Sequence, residues 1–435
     1  MRYQKGDIEM PKYLDLFAGA GGLSEGFVRA GYSPVAHVEM DTAACYTLKT
    51  RMAYHWLKSN HNLTPYHQYL CGEISRDEFY SMIPERILDS ILNVEISSET
   101  LPRIFHKIDL LLEGEKLDLI VGGPPCQAYS LAGRSRSKTH MLGDKRNYLY
   151  KFYAEFLEKY QPQYFVFENV LGLLSAKDED GSLHFENMRN LFKKCGYSTD
   201  YRILTASDFG VLQHRKRIIL IGCRGERSDF YPEIPVIQEK HKVGELFCDL
   251  PSVHAGEGMI TPVPTLHYTG RYLYHSGIKE YDCEPVTFHQ ARPNTVQDLE
   301  IYRIAVNAWN QRKERIAYSD LPSRLQSHKN KKGFLDRFKV VAGNLPYSQT
   351  VVAHISRDGH YYIHPDIKQN RSLTPREAAR LQTFPDNYYF ESVTGRPSRT
   401  LAYKQIGNAV PVCLSYSIAA ALFERFAKDD MNERV

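Results

Sequence analysis

The chain has 435 residues, 43% hydrophobic and 24% charged, with a formal net charge of +4. Such values belong to a soluble globular protein, and the length exceeds what one ordinary core supports, so two domains or one domain with a large insertion is expected. No run approaches the ~18 apolar residues of a membrane span, and Met1 to Asp7 lack a signal-peptide hydrophobic region, which makes a cytoplasmic protein with no membrane partner the expectation. Eight scattered cysteines without a C-x-x-C pair argue against a disulfide framework and against a zinc cluster.

The first half alternates strand-like and helix-like segments. Tyr13 to Phe17 reads as a buried strand, Gly21 to Ala30 as a helix closed by Gly31, and Pro34 to Val38 as a second strand. This is a βαβ unit, which implies a parallel sheet with right-handed crossovers. Residues 60–107 interrupt the pattern, with local helix around Arg76 to Leu92. It resumes with a strand at Leu117 to Val121, a helix at Asn147 to Tyr160, a strand at Tyr164 to Phe167, a helix at Phe185 to Cys195 and a strand at Arg217 to Gly222. The class is α/β. Beyond Arg224 a proline-punctuated mixed region reads as an inserted second domain, and between Ile301 and Leu345 ten Lys and Arg face three acids. That excess suits a polyanion or a solvated face equally. Helix returns at Thr374-Pro375-Arg376-Glu377, a capping box with Pro at the first helical position.

Five short segments carry chemistry. Phe17-Ala18-Gly19-Ala20-Gly21-Gly22 lies between the first strand and its helix, where glycines allow a tight turn and close backbone approach to a ligand. Ser24 stands where a dinucleotide fingerprint has its third glycine, and Glu39 follows about twenty residues on, where an acid accepts bonds from ribose hydroxyls. An adenosine-containing ligand fits. Gly122-Gly123-Pro124-Pro125-Cys126-Gln127 holds a thiol in a turn stiffened by two prolines, suited to a nucleophile or to a buried structural cysteine. Glu168-Asn169-Val170 ends a neighbouring strand, so its carboxyl and the Cys126 thiol are expected in one crevice. In Gln213-His214-Arg215-Lys216-Arg217, alternation sends Arg215 and Arg217 to one face. Gln405-Ile406-Gly407-Asn408-Ala409-Val410-Pro411 opens the last helical segment, with Asn408 offering an amide.

In order and spacing, these segments together with Arg376-Glu377-Ala378-Ala379-Arg380-Leu381-Gln382 resemble the motif series of the DNA (cytosine-5) methyltransferases of bacterial restriction-modification type. The resemblance covers about residues 12–224 and 366–427. It implies a Rossmann-like, S-adenosylmethionine-dependent catalytic domain over residues 1–224 and 366–435, with 60–107 inserted in it and 225–365 as the target-recognition domain. It implies transfer of a methyl group to carbon 5 of a flipped cytosine in double-stranded DNA. Cys126 is then the nucleophile at carbon 6, Glu168 the group at ring nitrogen 3, and Arg215, with Arg217, the partner that positions the base. Phe17, Gly19, Gly21, Gly22, Leu23, Glu39, Met40, Asp109, Pro124, Asn408 and Val410 are implied around S-adenosylmethionine, Asp109 at the adenine amino group. Gln127, Ser130, Arg134, Arg136, Lys138, Arg146 and Gln213 are implied at DNA, most of them on a mobile loop from Leu131 to Asn147. A monomer without metal is expected, since His354, Asp358, His360 and His364 fit no standard zinc spacing. Its genetic partner would be a cognate restriction endonuclease. The RNA-directed relatives on the same frame carry a Cys-Phe-Thr tripeptide, which this sequence lacks. A catalytically inactive DNA-binding accessory protein is the remaining alternative.

Overall fold

The computed structural model describes residues 10–125, 148–178, 180–282, 284–329 and 334–433. Its frame is a seven-stranded sheet in the order β3-β2-β1-β4-β5-β7-β6. β1 (Lys12–Leu16) leads through α1 (Gly22–Ala30) to β2 (Ser33–Glu39), and α2 (Thr42–Ser59) follows. Three short helices come next, α3 (Thr64–Cys71), α4 (Arg76–Ser81) and α5 (Glu85–Asp89), before β3 (Ile91–Asn93) and α6 (Leu101–Leu112). β4 (Leu119–Gly122), α7 (Leu149–Tyr160), β5 (Tyr164–Asn169), α8 (His184–Lys194), β6 (Tyr197–Thr205) and β7 (Lys216–Arg224) complete the sheet. Strands β1 to β5 pair in parallel, whereas β7 runs antiparallel to both β5 and β6. The expected parallel sheet therefore carries an antiparallel pair at one edge. Reading Arg217 to Gly222 as a strand could not show this, because strand direction depends on which neighbour accepts the strand.

Strands buried on both faces read as continuous apolar runs, and both faces are covered here. Leu14, Leu16, Ile120, Phe165 and Phe167 meet α6, α7 and α8 on one side. Tyr13, Leu119, Val121, Val166 and Ile219 meet α1 and the C-terminal helix on the other. From β1 the chain steps outward to β2 and β3, then returns to place β4 on the opposite side of β1, so the strand order reverses between β1 and β4. Ligands of open α/β sheets bind at the carboxyl ends of strands at such a reversal.

Two boundaries differ from the sequence expectation. β3 lies inside 60–107 and α6 begins there, yet both belong to the frame, so the added segment is α3 to α5. It is anchored through Tyr69 Oη, which donates to the buried Glu391 carboxylate, through Tyr80 Oη, which meets Thr50 Oγ1 of α2, and through Arg76, which donates to the Ser392 carbonyl. Within 225–365, residues 243–288 and 341–362 share one core with Tyr54, Tyr66, Ala378 and Ile406. The part around Ile301, Tyr302, Tyr318 and Phe338 holds a separate hydrophobic cluster, and Leu250, Val263 and Val286 form a further small one. This middle region contributes the small ribbon β8 (Gly258–Met259) and β9 (His289–Gln290), the turn helix α9 (Tyr272–His275) and the long α10 (Val296–Arg312). The chain then closes with α11 (Pro375–Leu381), α12 (Arg399–Asn408) and α13 (Val412–Glu433). The capping box at Thr374 forms as expected: Thr374 Oγ1 accepts from Glu377 N at 3.2 Å and the Glu377 carboxylate accepts from Thr374 N at 2.7 Å.

Candidate active site at the carboxyl ends of β1, β4 and β5

The glycine turn after β1 is built for close packing. Phe17 takes φ 58° and Gly19 φ 56°, both left-handed, and Gly21 caps α1 at φ 80°. A Cβ on Gly21 would stand 2.8 Å from Leu48 Cδ2 and Tyr388 Oη, and one on Gly22 would stand 2.3 Å from the Val410 carbonyl oxygen. Any larger residue would fill the space between the turn and its walls. At the end of β2, the half-buried Glu39 carboxylate accepts N–H bonds from Gly19 (2.8 Å), Met40 (2.9 Å) and Asp41 (2.7 Å). Burial pushes its pKa up, and these three donors pull it back. The carboxylate is thus held against the glycine turn with capacity left for further donors. First-turn N–H groups of α1 have no intrahelical partner, which suits the same pocket to an anionic group.

Beneath the turn lies a feature the sequence reading passed over. Asp15 is 1% exposed, and neither carboxylate oxygen has a hydrogen-bond partner among the described residues. Burial, with Glu39 nearby, raises its pKa well above the usual range. Neighbouring His37 is driven by burial down to about 3, so it stays neutral and accepts no role as counterion; its Nε2 meets Ser24 Oγ at 2.7 Å.

Across β4 the second half of the crevice forms. Gly122 pairs with Phe167 in register, which sets Gly123 beside Glu168. A Cβ on Gly123 would lie 2.6 Å from Glu168 Oε2, so only glycine leaves room for this carboxylate. Glu168 Oε1 is 2.6 Å from Arg217 Nε, and both side chains are 12% exposed. Asn169 Nδ2 donates to the Pro124 carbonyl at 3.2 Å, tying the end of β5 to the proline turn. Cys126 follows Pro125 directly in the chain and lies outside the described residues, as do Gln127, Ser130, Arg134, Arg136, Lys138 and Arg146.

Several expected site residues stand elsewhere. Arg215 does not share a face with Arg217: it is 2% exposed and donates from Nη1 to the Val351 carbonyl at 2.7 Å. The strand starts only at Lys216, so the alternation rule does not reach Arg215. Gln213, expected at DNA, is fully buried and bonds to Leu381, Gln382 and Val351. Asp109, expected at adenine, sits on the outer face of α6 in an ion pair with Lys159 at 2.8 Å. The carboxyl end of β3 occupies the place beside Glu39 instead, where Asn93 Nδ2 donates to the Glu39 and Met40 carbonyls and Val94 N to Glu39 O. Val94 and Glu95 follow Asn93 directly in the chain. The Leu23 side chain packs in the core below α1, leaving only its backbone toward the turn. Met40 is 59% exposed at the rim, Asn408 ends α12 exposed, and Val410 packs on Gly22. The histidines weighed as metal ligands do not converge: Tyr302 Oη meets His360 at 2.9 Å, His364 lies by Glu377, and Arg337 joins His354 and Asp358. Among the described residues no group of three or more His, Cys, Asp or Glu is placed to hold a metal ion.

A mostly parallel sheet with a glycine turn, a strand-end acid and a proline turn at its reversal defines the α/β methyltransferase class, whose fold uses S-adenosylmethionine. The C-5 cytosine-specific DNA methylase family matches residues 11–65 and 102–424, and the chain belongs to it. The unmatched gap holds most of α3, together with α4, α5 and β3. A Type II methyltransferase of Bacillus paralicheniformis is 40% identical over 94% of this chain and 98% of its own. The Type II methyltransferase M.DdeI of Desulfomicrobium norvegicum is 30% identical over 93% and 87%. Among solved structures, a putative DNA modification methyltransferase encoded within an E. coli prophage superposes with TM-score 0.60 at 21% identity, covering 96% of this chain and 99% of that one. The S. pombe Dnmt2 methyltransferase does so with TM-score 0.51 at 14% identity, a likeness of fold alone. The protein is a DNA (cytosine-5) methyltransferase of restriction-modification type.

Proposed function

We propose that the protein methylates cytosine within a short specific sequence of double-stranded DNA, through a covalent Cys126 adduct on a flipped base, and so protects host DNA from a cognate endonuclease. The observation that carries this reading is the Glu168–Arg217 pair, held at 2.6 Å beside Gly123 in the turn that leads into Cys126. A base in a duplex cannot reach this crevice, so the target must leave the stack. Carbon 5 of cytosine is a weak nucleophile. The Cys126 thiolate adds to carbon 6, and Glu168, steadied by Arg217, protonates or hydrogen-bonds ring nitrogen 3, leaving electron density on carbon 5. When bound, S-adenosylmethionine would supply the electrophilic methyl group, its sulfonium sulfur–methyl bond breaking to leave S-adenosylhomocysteine. Carbon 5 takes it up, loses its proton, and expels Cys126 as the carbon 6–sulfur bond breaks.

The glycine turn and Glu39 support the cofactor reading: a Cβ on Gly19 would meet nothing within 4 Å, so the turn's backbone is open to a ligand there, and Glu39 has lone pairs for ribose hydroxyls. Glu95, rather than Asp109, is our choice for the adenine amino contact. Arg217 takes the base-positioning role first given to Arg215. The cluster around α10 and Phe338 is the best candidate for reading bases in the major groove. Its basic excess is partly spent in pairs such as Arg312–Glu314, Arg324–Glu300 and Lys339–Asp336, so phosphate contacts fall to the cations outside them.

Expression in a methylation-free bacterial host followed by bisulfite sequencing tests the proposal: 5-methylcytosine should appear at one short sequence context, and a genome without it would overturn the reading. Gly123→Ala in the same assay probes the geometry. Its methyl must displace the Glu168 carboxylate, and a misplacement of that kind is expected to slow turnover on the order of 10²-fold with the thermal midpoint nearly unchanged.

A further inference from the structure

We propose that Gln213 and Gln382 form a buried amide relay that positions the cofactor turn from the base-facing side of the cleft. The inference rests on the cofactor reading above. Gln213 and Gln382 are both 0% exposed. Val351 N donates to Gln213 Oε1 at 2.9 Å, and Gln213 Nε2 donates to Gln382 Oε1 at 2.9 Å and to the Leu381 carbonyl at 3.0 Å. Gln382 Nε2 in turn donates to the carbonyls of Ile406 (2.7 Å) and Ala409 (3.1 Å), while Val412 N donates to the Gln382 carbonyl at 3.1 Å. Each amide is oriented by a backbone group at its outer end, so the chain of bonds has one polarity, from the Val351 N–H to the Ala409 carbonyl. Aligned bonds of this kind reinforce one another in a dry interior.

The two ends of the relay carry its meaning. At one end, the Val351 carbonyl accepts from Arg215, two residues before Arg217 and its pair with Glu168. At the other, Ala409 Cβ stands 3.1 Å, and the Val410 carbonyl oxygen 2.3 Å, from where a Cβ on Gly22 would be. The relay therefore spans from the β7 entry to the wall of the glycine turn, through two side chains that nothing else in the site requires. A shift of Val351 when the target base is seated would be passed to the turn that holds the cofactor, and the reverse.

Gln213 touches no part of the cofactor pocket, which makes it the informative position. Calorimetric titration of S-adenosylhomocysteine into the DNA-free protein should show Gln213→Leu binding about 10-fold more weakly than wild type, equal to about 1.4 kcal/mol. Gln382→Leu should lose as much, and the double variant should lose no more than either alone, because one broken link already uncouples the ends. The fitted stoichiometry separates this from partial unfolding, which lowers the number of sites and not the affinity of those that remain. Should leucine prevent folding, Gln213→Glu keeps the Val351 acceptor but not the donor to Gln382 and is expected to show the same loss. Unchanged affinity in the folded variants, or additive losses, would overturn the relay. Absence of binding by the wild type would instead overturn the cofactor reading on which it rests.

Discussion

Glu168→Gln is expected to lower the rate of methyl transfer by ~10²–10⁴-fold while leaving S-adenosylhomocysteine affinity within a small factor of wild type. The substitution keeps volume and shape, so the crevice beside Gly123 stays filled, but an amide cannot deliver a proton to ring nitrogen 3. It also leaves Arg217, 2.6 Å away and 12% exposed, without its counter-charge. The glycine turn and Glu39 sit on the far side of β4 from Glu168, which is why cofactor affinity should survive. Arg217→Met should cost a comparable factor, and the double variant little beyond either single one, since the two side chains act as a unit. Single-turnover assays with radiolabelled S-adenosylmethionine on the DNA site defined by bisulfite mapping measure all three. A Glu168→Gln rate within threefold of wild type would remove Glu168 from the chemistry.

The largest effect on stability is expected from Arg380→Met. Arg380 is 0% exposed; it donates to Asp386 at 2.8 and 2.5 Å, to Asp249 at 2.5 Å and to the Leu246 carbonyl at 2.8 Å. Asp249 is completed by the equally buried Lys279 at 2.7 Å. Methionine fills most of the volume but leaves Asp386 with only the more distant Arg376, 4.0 Å away, and Asp249 with Lys279 alone, and breaking one side of a buried ion network costs about 3–5 kcal/mol. Urea unfolding at neutral pH should show a loss of that size. The loss should also shrink in acid. Burial pushes the Asp249 carboxyl up, yet Arg380 and Lys279 outweigh it and hold the folded pKa below the usual carboxylate range. A depressed acid contributes stability above its unfolded pKa of about 3.9 and loses it as pH falls through the folded value. Wild type and variant should therefore converge below about pH 4, and a difference independent of pH would contradict the assignment.

The same network shows where sequence reading stops. Thr374-Pro375-Arg376-Glu377 announces a helix start because capping chemistry is local, spanning three residues, and the helix forms as read. That Arg371, Arg376 and Arg380 are all fully buried is not visible locally, since an arginine at a helix surface position reads as solvated until its partners at Asp249 and Thr287 are folded against it. Asp109, which the family resemblance implied at the adenine amino group, stands away from it for a related reason: three added helices and the short β3 fill the chain between Glu39 and α6.

Glycines at 19, 21 and 22, an acid at 39, the Gly123-Pro124-Pro125-Cys126 turn and an acid at 168 are fixed by the sequence, because each motif answers to backbone conformation or to chemistry within a few residues of itself. With their order they determine the α/β frame, the methyltransferase class and the crevice at the carboxyl ends of the strands. Tertiary structure alone decided which arginine meets Glu168, since Arg215 and Arg217 differ only in whether β7 has begun when the chain reaches them. It also decided that Gln213, expected at DNA, is buried in a contact with Gln382, 169 residues on. Pairings across such separations depend on how three layers and an inserted lobe close on one another, and no local period in the chain encodes that.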